Sequence, residues 1–508
     1  MNVALCILDG WGVRPQDSNL VSYKGDATVV AHYLHKLMAQ NPSLLLNASG
    51  SSVGLPKGFI GNSEAGHSTI GLGRIIKQDL CLINEAIEDG SLEKSPVLQD
   101  LIKYLKKNKG FCHVAGLISD VGIHSHIDHQ IKIVEYMAKE VPVFVHCILD
   151  WGEAHKGNAL HFLDFFSKKI PQNAKIVSLC GRFYAMDRDL RWERTEAAHN
   201  LIANQDGYIA TSQYKTFWET KFAETLNDEF TEPTIVGGYY ETTRNDGFIF
   251  TNFRADRAQQ LIQAICDPLF CYFKKKKFPR FAKAVSIMEY DEKFNSFCTP
   301  ILKKKNFNNS LCEIISNNNM KQLRVAETEK QLHITHFLGE KKERFPGEDR
   351  IIFESPKVKT YEKAPEMRAC EITDTVIDSM SNKKHNFIVF NYANADMLGH
   401  TGNIEAAQQS LSCVDVCLQK IVQCAEDNSY TLFIVADHGN AEQMLEENGD
   451  INTAHTANKV PFVVINSEKK LEVDGDFGLA NVAATVLEAL RISIPEEITE
   501  RSLFKNEV

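Results

Sequence analysis

At 508 residues the chain is too long for one ordinary domain, and two are predicted. Its 56 basic side chains stand against 66 acidic ones, a formal charge of −10; this argues against non-specific nucleic-acid binding and would leave an anionic ligand dependent on a locally assembled basic pocket. Thirteen scattered cysteines without a Cys-x-x-Cys pair suggest neither a disulfide framework nor a thiolate zinc site, and with no basic n-region and no apolar run near ~20 residues the expectation is a cytoplasmic protein without a membrane partner.

Residues 3–8 form an apolar run that ends at Asp9-Gly10-Trp11-Gly12, which predicts a buried strand and a loop opened by a carboxylate. In parallel α/β sheets ligand sites gather at the carboxyl ends of strands, so Asp9 is well placed, although aspartate also commonly starts a turn. Gly61-Asn62-Ser63-Glu64-Ala65-Gly66-His67-Ser68-Thr69-Ile70-Gly71-Leu72-Gly73-Arg74 follows, a serine among glycines and polar residues directly before residues 75–86, which read as a helix. Such a setting exposes a hydroxyl and aims backbone N–H groups at an anion. The plain alternative is a glycine-rich turn with a serine cap. The spacing differs from the nucleophile elbow of the α/β-hydrolases, and no base neighbours Ser63 in sequence.

From about residue 80 to 298, apolar runs at 113–118, 143–149, 175–180, 247–250 and 284–288 alternate with helix-like segments at 127–140, 159–169, 194–203 and 256–266. Alternation of this kind predicts a second α/β domain with a mainly parallel sheet. The lysine- and asparagine-rich stretch 303–319 reads as a hinge or surface insertion.

After residue 320 the first pattern returns. The run 387–391 leads into Asn394-Ala395-Asp396-Met397-Leu398-Gly399-His400, and 431–435 into Asp437-His438-Gly439-Asn440-Ala441-Glu442. Ala454-His455-Thr456 precedes a third run, 460–465. With Asp9 these segments supply three aspartates and three histidines at strand edges, a ligand set for two divalent cations held by oxygen and nitrogen without sulfur. A lone histidine is more often an ordinary hydrogen-bonded residue; six such residues recurring at strand ends weaken that reading. A metal there could lower the pKa of the Ser63 hydroxyl and shield a phosphoryl group.

Over nearly its whole length the chain resembles the cofactor-independent (2,3-bisphosphoglycerate-independent) phosphoglycerate mutases of the alkaline phosphatase superfamily. The resemblance rests on Leu8 to Gly12, Gly61 to His67, Gly122-Ile123-His124-Ser125-His126, Gly181 to Arg194, Asn252 to Arg257, Ala326 to Lys330, Phe345 to Arg350 and the three metal segments. It implies a glycolytic and gluconeogenic isomerase that interconverts 3- and 2-phosphoglycerate through a phosphoserine, without 2,3-bisphosphoglycerate. One Mn²⁺-type ion would be held by Asp396, His400 and His455, the second by Asp9, Ser63, Asp437 and His438, with Mg²⁺, Co²⁺ or Zn²⁺ as other candidates. Ser63 would be the nucleophile, with Lys330 reaching the serine or its phosphate and Asn62 beside it. The substrate residues would be His124, Glu153, Arg182, Arg188, Arg254, Arg257 and Lys330. Guanidinium forks suit a phosphate and a carboxylate in an otherwise acidic protein.

The resemblance also implies a discontinuous phosphatase-like α/β domain, residues 1–78 and 304–508, with a phosphotransferase domain inserted at 80–300. Hinges near 77–80 and 297–305 would let a monomer close over phosphoglycerate and keep water from the phosphoserine. One segment departs from the family pattern: Asp150-Trp151-Gly152-Glu153 stands where Asp-Gly-Arg-Asp is usual, so the pocket arginine is lost. That loss predicts weaker affinity for phosphoglycerate and more leakage of phosphate to water. The alternative function is a metal-dependent phosphomonoesterase of the same superfamily, against which the arginine set weighs. A third, a catalytically weak binding protein, is opposed by the intact metal residues.

Overall fold

The computed structural model describes residues 2–14, 32–150, 159–210, 228–236, 242–275, 281–303, 305, 307–340, 343–446 and 448–505. The chain divides into two compact units, Met1–Gln78 with Asn306–Val508, and Asp79–Lys305. Among the described residues no helix is long and apolar enough to cross a membrane.

In chain order the first unit begins with β1 (Asn2–Leu8), β2 (Ser43–Leu46) and α1 (Ser63–Leu72). The second unit opens on α2 (Asp79–Glu88) and alternates through β3 (Cys112–Ile118), α3 (Ile127–Ala138), β4 (Val143–Leu149), α4 (Ala159–Lys169) and β5 (Ala174–Gly181). It continues with α5 (Trp192–Asn204), β6 (Tyr208–Ile209), β7 (Thr234–Ile235), β8 (Gly247–Phe250), α6 (Gln259–Cys266), β9 (Lys283–Met288) and β10 (Thr299–Leu302). The chain then returns to the first unit through α7 (Leu311–Asn317), β11 (Gln322–Glu327), β12 (Glu348–Phe353), α8 (Ala369–Ser381) and β13 (Phe387–Tyr392). It ends through α9 (Asn394–Gly399), α10 (Ile404–Asp427), β14 (Tyr430–Val435), β15 (Val460–Ile465) and α11 (Asn481–Leu490).

The first unit's sheet has the order β12-β11-β13-β1-β14-β15-β2. It is parallel from β12 to β14, and β15 joins antiparallel to both neighbours. Val3 to Leu8 are fully buried, as expected for a central strand covered on both faces, which reads as a continuous apolar run. Because β15 runs against the others, its entry lies at the edge where they exit. His455 therefore precedes its strand while Asp9, Asp396 and Asp437 follow theirs. The second unit's sheet, β10-β9-β8-β3-β4-β5-β7-β6, is parallel from β10 to β5, and β7 pairs antiparallel with β5.

Two local expectations are corrected. The helix after the Ser63 stretch does not span 75–86: α1 starts at Ser63 itself, with Asn62 as its cap accepting from the Ala65 amide at 2.9 Å, and a second helix starts at Asp79. Gly66 and Gly71 lie inside α1, where their lack of a side chain is a packing requirement. A Cβ at Gly66 would stand 2.5 Å from the Asp437 carbonyl oxygen, and one at Gly71 1.9 Å from that of Leu338. The stretch 303–319 is no surface insertion throughout, because Leu311, Cys312, Ile314 and Ile315 make α7 amphipathic and bury it in the first unit's core. Residues 299–302, within the segment expected as a hinge, form an edge strand paired with β9.

Candidate active site

The carboxyl edge of the first sheet gathers a dense set of polar groups. Asp9 leaves β1, Asp437 and His438 leave β14, and Asp396 sits in α9 just beyond β13. The two loops meet closely because residue 10 is glycine with φ +74°; a Cβ there would lie 2.6 Å from the Asp396 Cα. The Gly10 amide donates to Asp437 Oδ1 at 3.2 Å, and the Asp396 amide donates to the Asp9 carbonyl at 3.0 Å. Lys330 arrives on the short helical turn that follows β11.

Ser63 is the first residue of α1, so the helix N-terminus lies at its hydroxyl. Its Oγ is 3.2 Å from Asp9 Oδ1, 2.9 Å from His438 Nε2 and 3.0 Å from Lys330 Nζ. Lys330 also donates to Asp9 Oδ1 and Asp396 Oδ2, each at 2.6 Å. His438 Nε2 stands 3.5 Å from Asp9 Oδ1 and from Asp437 Oδ2, and 3.9 Å from Asp396 Oδ1. On the outer side His455 Nε2 and His400 Nε2 approach the same Asp396 Oδ1 at 3.1 and 3.2 Å and each other at 3.0 Å. The structure thus brings together Asp9, Ser63, Lys330, Asp396, His400, Asp437, His438 and His455.

Two overlapping triads have donor atoms all within 4.8 Å of one another: Asp396, His438 and His455; and Asp9, Asp437 and His438. The donor set fits hard or borderline divalent cations. Its charge fits as well, since three buried carboxylates face the single ammonium of Lys330. Burial alone would raise Asp9 and Asp396, but the Lys330 charge and histidine hydrogen bonds hold both well below the carboxylate range. Burial would lower Lys330, and the charges of Asp396, Asp9 and Asp437 overcome it and raise the ammonium's pKa. His438, which burial would also lower, is pushed up to about 9 by Asp437, Asp9 and Asp396. Without a metal the carboxylates therefore keep a proton on His438.

Further residues brace the cluster, and the sequence motifs alone do not give their roles. Asn391, the penultimate residue of β13, donates to Asp9 Oδ2 at 2.8 Å and lies 3.0 Å from His67 Nε2, while His67 Nδ1 is 2.9 Å from the Ser63 carbonyl. Asn440 donates to Asp396 Oδ1 at 3.1 Å. Glu442 accepts from the amides of Gly12 and Asn440, at 3.0 and 2.8 Å, and from the hydroxyl of Thr456, next to His455. This single carboxylate ties together three of the loops that carry ligands. Its position in Asp437-His438-Gly439-Asn440-Ala441-Glu442 was the available signal.

A second group lies in the other unit, again at strand carboxyl ends. His124 follows β3, Asp150 follows β4, Arg182 and Arg188 follow β5, and Arg254 and Arg257 follow β8. Asp256 is the hub: its carboxylate lies 2.9 Å from Arg188, 3.4 Å from Arg254 and 3.6 Å from His124. Arg182 pairs with the buried Asp150 at 2.8 Å, and Arg257 donates to the Met186 carbonyl at 3.1 Å. Arg188 and Arg254 present roughly half of their side-chain surface to solvent, 50 % and 45 %. That leaves them able to engage an anion. Burial, with help from Arg254, Arg182 and Arg257, lowers His124 to about 3 against the pull of Asp256. Trp151, Gly152 and Glu153 fall outside the described residues.

The same unit buries further neutral histidines. His113 Nδ1 meets His146 Nε2 at 2.9 Å, and His146 Nδ1 meets Ser178 Oγ at 2.7 Å, a chain that crosses β3, β4 and β5. Burial lowers both, and it takes His129 to about 3 and His199 to about 4. A histidine depressed in the fold binds its proton more readily when unfolded, so stability is complete above the unfolded value and falls as pH drops below ~6.5. For His129 alone the loss at pH 5 is about 2 kcal/mol, which for a unit of this size lowers the melting temperature by roughly 4–8 °C. Calorimetry of metal-free protein at pH 7 and pH 5 checks this, and His129→Gln should shrink the difference. Equal melting temperatures at the two pH values would contradict the assignment.

Comparison with known proteins extends this picture. The profile of a family described as the Metalloenzyme superfamily matches residues 1–494. The chain is 40% identical over 507 residues to a 2,3-bisphosphoglycerate-independent phosphoglycerate mutase of Ehrlichia ruminantium (strain Gardel), covering 99% of this chain and 98% of that protein. A protein of the same name from Thermosynechococcus vestitus is 41% identical over 517 residues, with 99% and 95% covered. Among solved structures, a Leishmania mexicana phosphoglycerate mutase at low cobalt concentration superposes with a TM-score of 0.78 at 26% identity, covering 100% of this chain and 98% of that one.

Proposed function

Because the chain belongs to the 2,3-bisphosphoglycerate-independent phosphoglycerate mutases, we propose that Ser63 takes the phosphoryl group of 3-phosphoglycerate and returns it to give 2-phosphoglycerate. The chain is an isomerase acting on a small molecule, metal-dependent and independent of 2,3-bisphosphoglycerate. The observation that carries the serine's role is the convergence on its Oγ of His438 Nε2 and Lys330 Nζ at a helix N-terminus. Lys330 orients the hydroxyl and keeps a fixed positive charge beside the oxygen that becomes phosphorylated. Asp9 accepts from the same hydroxyl and from Lys330, so the two donors are held in register.

Asp396, His400 and His455 would hold one divalent ion, and Asp9, Ser63, Asp437 and His438 the other, Mn²⁺ in kind with Mg²⁺, Co²⁺ or Zn²⁺ as alternatives. When bound, the ions supply positive charge that lowers the serine hydroxyl's pKa and screens the phosphoryl oxygens. The arginine set of the second unit, with His124, would bind the phosphate and carboxylate of phosphoglycerate; Asp256 aligns Arg188 and Arg254 for that task. In this reading the enzyme is a cytoplasmic monomer.

The second reading, a phosphomonoesterase, shares the whole Ser63 site and lacks a use for the arginines. A coupled assay with 3-phosphoglycerate and Mn²⁺, without 2,3-bisphosphoglycerate, separates the two. Formation of 2-phosphoglycerate supports the mutase, and release of free phosphate alone supports the esterase. Chelation should abolish turnover and added Mn²⁺ restore it. Metal must displace the proton from His438, whose pKa lies near 9, so Mn²⁺ affinity should fall about tenfold per pH unit as pH drops below that value. Calorimetric titrations at pH 8 and pH 6 read the slope directly, and an affinity indifferent to pH would count against His438 as a ligand.

A further inference from the structure

The thirteen cysteines are all free, and three of them are gathered by the fold. Cys413 and Cys417 lie one turn apart on α10, and Cys370 is the second residue of α8. Their sulfur atoms all lie within 4.8 Å of one another. Cys370 is exposed, Cys413 half-buried and Cys417 buried, so the triangle has one face open to solvent. Sequence spacing gave no hint, since Cys413-x-x-x-Cys417 lacks the Cys-x-x-Cys pattern and Cys370 is distant along the chain. We propose that Cys370, Cys413 and Cys417 form a second, soft metal site that takes one d¹⁰ cation of the zinc class through three thiolates, with solvent or an added ligand in the fourth position.

Three observations support it. The geometry suits the ion: tetrahedral thiolates at about 2.3 Å from zinc stand roughly 3.8 Å apart, within side-chain rotation of the present triangle. One of the sulfurs also lies at a helix end. Cys370 lies in the first turn of α8, where the helix N-terminus favours an anion. The charge then balances, because a divalent cation with three thiolates carries one net negative charge and Lys420 stands by to offset it. The two kinds of site divide by softness: oxygen and imidazole donors surround Ser63, and thiolates alone supply this one.

Cadmium is the probe, because its bonds to thiolates give a charge-transfer absorption that bonds to carboxylate and imidazole do not. One equivalent of Cd²⁺ added to the reduced, Mn²⁺-loaded full-length protein should produce that band. Cys370→Ser and Cys413→Ser should each remove it and weaken Cd²⁺ binding by roughly ten- to a hundredfold. On the unmodified protein, Cd²⁺ should also protect Cys370 from iodoacetamide, read by mass spectrometry, which does not depend on how any variant folds. No band in the wild-type protein, a full band in either variant, or an unprotected Cys370 each overturns the proposal.

Discussion

Ser63→Ala is expected to lower mutase turnover by on the order of 10⁴-fold or more, because it removes the hydroxyl proposed to accept the phosphoryl group. The loss should be catalytic and not structural. Ser63 sits at the first position of α1, where alanine is well tolerated, and the cap is the side chain of Asn62. The remaining proposed ligands keep their own supports from Asn391, Asn440 and Glu442. Melting temperature should therefore stay close to wild type while turnover disappears, and mass spectrometry of acid-quenched wild-type enzyme should find phosphate on Ser63 and not on the variant. A variant that kept a substantial fraction of wild-type turnover would remove Ser63 from the mechanism.

Lys330→Met should have two separable effects. The methionine keeps the apolar stem and deletes the ammonium that lies 2.6 Å from both Asp9 and Asp396. In metal-free protein this strands buried carboxylates, and removing one partner of a buried ion pair costs about 3–5 kcal/mol. Mn²⁺ bound there would supply replacement charge, so most of that stability should return on adding metal. Turnover should not return with it, because the hydrogen bond to Ser63 Oγ is gone; loss of one such donor lowers turnover by on the order of 10²–10³-fold. Urea denaturation with and without Mn²⁺, run beside the assay, distinguishes the effects. Metal-free stability equal to wild type would mean that Lys330 does not neutralise the cluster.

The candidate site was largely legible because its residues sit where strands end. Asp9 and Asp437 follow directly on buried apolar runs and Asp396 comes four residues after one, and such runs are the strongest signal a single sequence offers. His455 was recognisable only as a residue before a strand; the antiparallel setting of β15, which explains its place, is a property of sheet order that periodicity does not carry. The start of α1 was misread because glycines and serines lower helix propensity, and what overrides propensity there is the close approach of Asp437 and Leu338. Residues 311–317 were hidden by the lysines and asparagines around them. The histidine chain through β3, β4 and β5 and the three-thiol triangle were out of reach, since each is made by residues that only tertiary packing brings together.

Gly10 also bears on how the two proposed metal positions would be spaced. The loop after β1 lies directly against α9 at this point, and nothing but hydrogen fills the contact beside the Asp396 Cα. A methyl group there would act as a wedge, driving Asp9 and Asp396 apart and pulling Asp9 away from Lys330 and Ser63 at the same time. The distance between the two proposed cation positions would thus be gauged by a missing atom on the backbone, ahead of any choice of ligand. Side chains around the site can be exchanged for others of like charge and the gauge still holds. Residue 10 admits no such exchange.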